Sequence, residues 1–192
     1  MSEVKKYSVV SIALIGISVL VALMSSLGDD FAALHLWLIA EPNSNGLENI
    51  TNGQLWRLLT PIFIHFGPIH LLFNMIWIWD LGKVIESRKG VGFYIAFVLI
   101  AGVVSNLAQY LFTHAPEFGG MSGVLYGMFG YLWMQGRFNP RFGFALEQNV
   151  VIMMLVWYAL CWTGFLGPIA NWAHTAGLLV GVIWGYPTKK VS

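Results

Sequence analysis

Residues 119–137 read GGMSGVLYGMFGYLWMQGR, and the length of the apolar run inside them decides how the rest of the chain is read. PEFGG precedes the run and RFNPR follows it, so about 16 residues are free to be helical, about 24 Å at about 1.5 Å per residue. A bilayer core is about 30 Å thick. A helix here is apolar enough for lipid yet too short to cross from surface to surface. With its arginine-flanked end at one surface, Ser122 stops short of the other. The stretch 114–120 must then dip inward, and backbone at that depth has to be buried in protein or line a wet cavity.

The composition suits a lipid solvent. Of 192 residues, 57% are hydrophobic and 10% are charged, against about 25% charged in a soluble domain. Mean hydropathy is +0.70. A net charge of +1 gives no electrostatic footprint for nucleic acid. The single cysteine, Cys161, excludes an intramolecular disulfide. The N-terminal apolar stretch has no small-residue cleavage site and reads as a retained helix, not a secretory signal.

Six spanning helices are predicted, over residues 8–27, 68–85, 91–112, 121–135, 148–166 and 169–186, the last closed by Pro187. The expected fold is an all-α polytopic membrane protein, a six-transmembrane-helix bundle forming a single domain over residues 1–192. An even number of spans puts both termini on one side. On that side fall Lys5, Lys6, Lys83, Arg88, Lys89, Arg137, Arg141, Lys189 and Lys190, nine of the ten basic residues. Only Arg57 falls opposite. The positive-inside rule therefore makes both termini cytoplasmic. The long first outer loop, residues 28–67, contains FAALHLWLIA (31–40) and GQLWRLLT (53–60), tryptophan-bearing segments expected to lie at the membrane interface. Arg57 is expected to bind loop carbonyls there. Asp80, Lys83 and Glu86 read as an interfacial end of the second helix.

Under this topology helices two, four and six all begin on the outer side. His70 and Asn74 are i and i+4 and share a face. His174 lies about five residues into helix six, about 8 Å deep, with Asn171 one turn above. Ser122, His70, Asn74 and His174 thus fall at similar depth, and ionisable groups inside a membrane are functional candidates by default. Gly177, Gly181 and Gly185 follow His174 on one face, and Gly123 and Gly127 form a small-xxx-small pair on helix four. Helices four and six are therefore expected to approach closely.

The chemistry follows from the residue types. A serine hydroxyl attacks only if a base takes its proton, and imidazole titrates in the useful range. Acyl transfer also needs donors for an oxyanion. The candidates are the Ser122 backbone N–H, the Asn74 amide and the His70 imidazole. No acid lies near His174, so a serine–histidine dyad is expected. Gly119, Gly120 and Gly123 leave the backbone open to a substrate. Tyr126, one turn from Ser122, is placed to stack on His174. Taken singly, a Gly-Ser-Gly helix start reads as capping and packing, and His65 and His114 read as loop or interfacial residues.

Four stretches together resemble one family: WR at 56–57, H-x-x-x-N at 70–74, GGMSGVLYG at 119–127 and AHTAGLLVG at 173–181. The chain resembles the rhomboid intramembrane serine proteases of the bacterial GlpG type over nearly its whole length. The resemblance implies Ser122 as nucleophile and His174 as general base. It implies an oxyanion hole of His70, Asn74 and the Ser122 amide, with Tyr126 and Gly120 supporting and Gly123, Gly177 and Gly181 packing. His65 matches a second histidine of the family pattern. A lateral gate at helix five is implied, with Phe73 and Trp157 as its packing residues. The expected partners are transmembrane protein substrates and the lipid bilayer, with no cofactor and no metal. The expected location is a bacterial inner membrane, the site opening to the periplasmic side. Some relatives carry an extra cytosolic domain; about seven residues precede the first helix here, so none is expected.

Other classes are separable by experiment. A catalytically inactive rhomboid-like client-binding protein would lack turnover, although such relatives lose the serine or histidine and both are present here. A metal-handling protein using His65, His70, His114 and His174 would be chelator-sensitive, but carboxylate or thiolate partners are missing. A channel or transporter would be expected to show an inverted pair of broken segments, and none is apparent.

Overall fold

A computed structural model describes residues 4–41 and 44–186; Pro187, Lys189 and Lys190 lie outside them. The described residues form helices and turns, with no strand among them. The long helices are α1 (Val9–Met24), α4 (Pro68–Lys89), α5 (Val91–Thr113), α6 (Ser122–Phe138), α7 (Gln148–Cys161) and α8 (Asn171–Gly185). Between α1 and α4 lie two single-turn helices, α2 (Phe31–Leu34) and α3 (Glu48–Thr51), and three 3-10 turns. Among the described residues α5 alone is long and apolar enough to cross a membrane by length and composition, while α1 and α7 are apolar but shorter.

Local chemistry sets the helix ends. Ser8 caps α1, its side chain accepting from the Ser11 N–H. Proline opens α4, where a missing N–H does no harm. That helix runs to Lys89, a turn beyond the expected Ile85, and the chain turns at Gly90 with φ +85°. The predicted helix 148–166 ends instead at Cys161. The Thr163 hydroxyl donates to the Leu160 carbonyl, the Phe165 N–H returns to that hydroxyl, and Gly164 and Gly167 take positive φ. Residues 162–170 are consequently a run of turns between α7 and α8.

The core is built on α6, in which every residue from Gly123 to Leu132 is buried. Helix α8 lies against it at glycine distance. A Cβ on Gly177 would overlap the carbonyl oxygen of Gly123, and one on Gly181 that of Gly127. Only bare backbone permits this approach, which brings dispersion contacts that longer side chains would hold apart. Helix α5 flanks both: its Gln109 Oε1 accepts from the Trp172 and Ala173 N–H groups at 3.1 and 3.3 Å, occupying free donors at the start of α8.

Glu86 corrects the sequence reading. It is 2% exposed, not an interfacial residue. Its carboxylate accepts from the Ser8 hydroxyl at 2.6 Å and from the Val9 and Val10 N–H groups at 3.3 and 3.1 Å. A carboxylate at a helix N-terminus meets both free donors and the positive end of the dipole, so Glu86 ties α4 to the start of α1. Arg57 is fully buried in the connection between α1 and α4. It donates to the carbonyls of His35 and Leu38 at 2.6 and 2.9 Å and pairs with Glu41 at 2.9 Å. The Asn106 amide of α5 donates to the Leu58 carbonyl at 2.9 Å, fastening the same connection to the bundle.

Candidate active site

Ser122 is the first residue of α6, and its Oγ lies 2.8 Å from Nε2 of His174 on α8. The glycine contact between the two helices sets that distance. His174 is 5% exposed. The Tyr126 ring packs beside it, tilted by 38°, at 4.7 Å between centroids. Neither His174 Nδ1 nor the Tyr126 hydroxyl has a hydrogen-bond partner. The imidazole is thus positioned by packing, with no carboxylate behind it.

The stretch leading into Ser122 is a tight loop. Gly120 takes φ +120°, a conformation that disfavours side chains. A Cβ there would sit 2.8 Å from His70 Nε2 and 3.6 Å from Ser122 Oγ. Gly120 therefore fills the space between the two side chains, and any larger residue would close it. The Phe66 N–H donates to His70 Nδ1 at 3.3 Å. An accepting Nδ1 leaves the proton on Nε2 in the neutral ring, so His70 presents an N–H donor toward Gly120. The Asn74 amide nitrogen donates to the His70 carbonyl at 2.8 Å, while its Oδ1 is buried without a partner. The Ser122 N–H, at the first position of α6, has no intrahelical acceptor. Three donors therefore lie on the elements that surround the serine.

His65 is the residue that only the family resemblance singles out in the sequence. It lies in the loop that leads into α4, as the sequence suggests, but it is buried there, with 0% exposure. Its Nδ1 is 3.1 Å from the Phe63 carbonyl, and its Nε2 accepts from the Met121 N–H at 3.4 Å. Burial, then the neighbouring His70, pushes its ring down to about 3, so it is neutral at physiological pH. Both of its nitrogens are engaged, which removes it from any metal-ligand set. His114 ends α5 in a left-handed conformation and packs its ring on Tyr110. No group of three metal-ligating side chains occurs among the described residues.

Phe73 of α4 and Trp157 of α7 stack with centroids 5.6 Å apart, and Trp77 meets Phe73 edge-on at 6.3 Å. The hydroxyl contact of Tyr158 with Thr175, at 2.8 Å, joins α7 to α8. Cys161, buried at the end of α7, lends its carbonyl to the Asn171 amide at 3.1 Å.

A serine hydroxyl hydrogen-bonded to an imidazole, with a second imidazole N–H beside the loop that leads into it, is an arrangement able to carry acyl transfer. Known proteins are similar to this chain in sequence. A family model for the rhomboid domain matches residues 52–190. Proteins described as rhomboid protease GlpG from Salmonella paratyphi A, Salmonella newport and Salmonella typhi are each 37% identical to the chain over 164 residues. The alignment covers 85% of this chain and 56% of theirs, so the chain spans about half the length of the curated relatives it matches. The family model spans well over half of the chain, including the stretches that hold His70, Asn74, Ser122, Tyr126 and His174, and with relatives at 37% identity over most of its length the chain belongs to the rhomboid family, as a rhomboid of the GlpG type.

Proposed function

We propose that this integral membrane protein is a serine endopeptidase that hydrolyses peptide bonds in or near transmembrane segments of other membrane proteins. The observation that carries the reading is the 2.8 Å approach of Ser122 Oγ to His174 Nε2 inside a buried bundle. His174 Nε2 takes the hydroxyl proton as Oγ attacks the carbonyl carbon of the scissile bond. The carbonyl electrons move onto oxygen, and the oxyanion is met by the Ser122 N–H, the His70 Nε2–H and the free hydrogen of the Asn74 amide. Collapse expels the amine, which takes the proton from His174 and leaves an acyl group on Ser122. Water, deprotonated by the same imidazole, then attacks that ester and frees the serine. Tyr126 holds the imidazole plane through both halves, and Gly120 keeps the space beside the oxyanion open.

The reading includes six spans in a single domain, with cytoplasmic termini in a bacterial inner membrane. Lys5, Lys6, Lys83, Arg88, Lys89, Arg137 and Arg141 support it by their common side. The site opens at the opposite, periplasmic end, where α4, α6 and α8 begin, and the 28–67 connection lies at the outer interface. The Phe73–Trp157 stack closes the seam between α4 and α7 through which a substrate helix would enter. Transmembrane proteins are the substrate class because a bilayer-embedded site meets little else.

The direct test is a serine-reactive phosphonate, with the adduct mapped by mass. Wild type is expected to carry it on Ser122, and His174→Ala to lose it without losing its fold. Labelling that persists in His174→Ala at the wild-type rate would contradict the dyad.

A further inference from the structure

We infer that His65 is a positioning residue that holds the Gly120–Met121 peptide in one of two possible orientations and so aims the Ser122 amide; the inference rests on the reading of Ser122 as nucleophile. The loop itself does not choose. Gly119 and Gly120 are both glycine, and Gly120 sits at φ +120°, where the backbone is permissive and rotation of the next peptide meets little steric resistance. The choice must come from contacts, and they come from residues 61–65. The Gly120 N–H donates to the Pro61 carbonyl at 3.0 Å. A Cβ on Gly119 would crowd the Ile64 side chain at 2.5 Å. The Met121 N–H donates to His65 Nε2 at 3.4 Å.

The last contact has a direction. A trans peptide is planar, so its N–H and C=O point opposite ways. With the Met121 N–H on His65, the Gly120 carbonyl faces away from that ring. A flipped peptide would bring the Gly120 oxygen against Nε2, placing two acceptors in contact in a buried space. Nε2 is an acceptor because Nδ1 spends its proton on the Phe63 carbonyl at 3.1 Å, which fixes the neutral tautomer. The peptide that follows Met121 carries the Ser122 N–H, so the orientation is passed directly to the proposed oxyanion donor. The same ring lies 5.1 Å from the His70 ring between centroids and buttresses a second donor. One fully buried side chain therefore touches the supports of two groups in the proposed hole.

The test uses the whole chain reconstituted in lipid with a model transmembrane substrate, comparing wild type, His65→Leu and His65→Gln. Glutamine places Oε1 near the position of Nε2 and can accept the same N–H, whereas leucine fills the volume and accepts nothing. His65→Leu is expected to lower kcat at least about tenfold, the factor that about 1.4 kcal/mol of barrier represents, with KM within about twofold. His65→Gln is expected to recover most of that loss. Equal losses in the two variants, or a loss that follows unfolding temperature alone, would overturn the inference. Nitrogen-15 NMR of wild type gives a readout that needs no turnover. A proton on His65 Nδ1 with a bare Nε2 supports the inference, the opposite tautomer overturns it, and this measurement decides alone if His65→Leu does not fold. A Ser122→Ala control separates the two claims: cleavage surviving there removes the nucleophile reading, while the tautomer is read independently.

Discussion

At the scale of single residues, the site rests on side chains whose second polar atom is deliberately idle or deliberately occupied. His174 offers Nε2 to Ser122 and leaves Nδ1 bare, while His65 has both nitrogens engaged. Tyr126 contributes a face and not a hydroxyl, since its oxygen is buried without a partner. Tyr126→Phe should therefore keep kcat within about threefold, whereas Tyr126→Leu should lower it about two- to tenfold, the size of an aromatic contact of about 0.5–1.5 kcal/mol. Steady-state cleavage of a model substrate distinguishes them, and a Phe variant as impaired as Leu would show that the hydroxyl is used. Ser122, His70, Asn74 and His174 were legible in the sequence because depth along a helix is countable from its end. His65 was not. Its role is carried by backbone groups, one of them 56 residues away, and backbone partners leave no mark on residue type.

At the scale of elements, the decisive contact is between α6 and α8. The glycine ladder was legible because spacings of three and four residues put small side chains on one helix face. Its consequence is quantitative. The methyl of Gly181→Ala would overlap the Gly127 carbonyl oxygen, and overpacking of this kind costs about 1–3 kcal/mol. The expected readout is a lowered unfolding temperature in detergent together with slowed cleavage, since the Ser122–His174 distance depends on the same contact. Gly16→Ala on α1 is the control, because nothing lies within 4 Å of the added carbon. A Gly181→Ala protein as stable as wild type would mean that the helices do not meet as described. Helix existence was readable from hydrophobic runs, but helix ends were less so. The run through Leu166 looks continuous in hydropathy, yet Thr163 and Gly164 turn the chain and α7 stops at Cys161. Glu86 misled for the opposite reason: a charge at a helix end is usually solvated, and here a second helix starts on it.

At the scale of the whole molecule, the buried α6 forms the axis, with α8, α5 and α4 around it, and the connection between α1 and α4 is pinned by Arg57 and Asn106. The shortness of α6 explains why a polar site survives inside an apolar protein. The helix's first residue, Ser122, is 16 residues and about 24 Å from its last, Phe138, so the serine lies below the proposed outer surface and is reached by the loop that dips to it. The measurement that bears most directly on this account is cleavage of a single-pass transmembrane substrate by the reconstituted chain, wild type against Ser122→Ala, with the cut bond mapped by mass. The account predicts cleavage by wild type at a bond near the periplasmic end of the substrate's span, and none above background in Ser122→Ala. Cleavage of the same bond by Ser122→Ala at a comparable rate would contradict it.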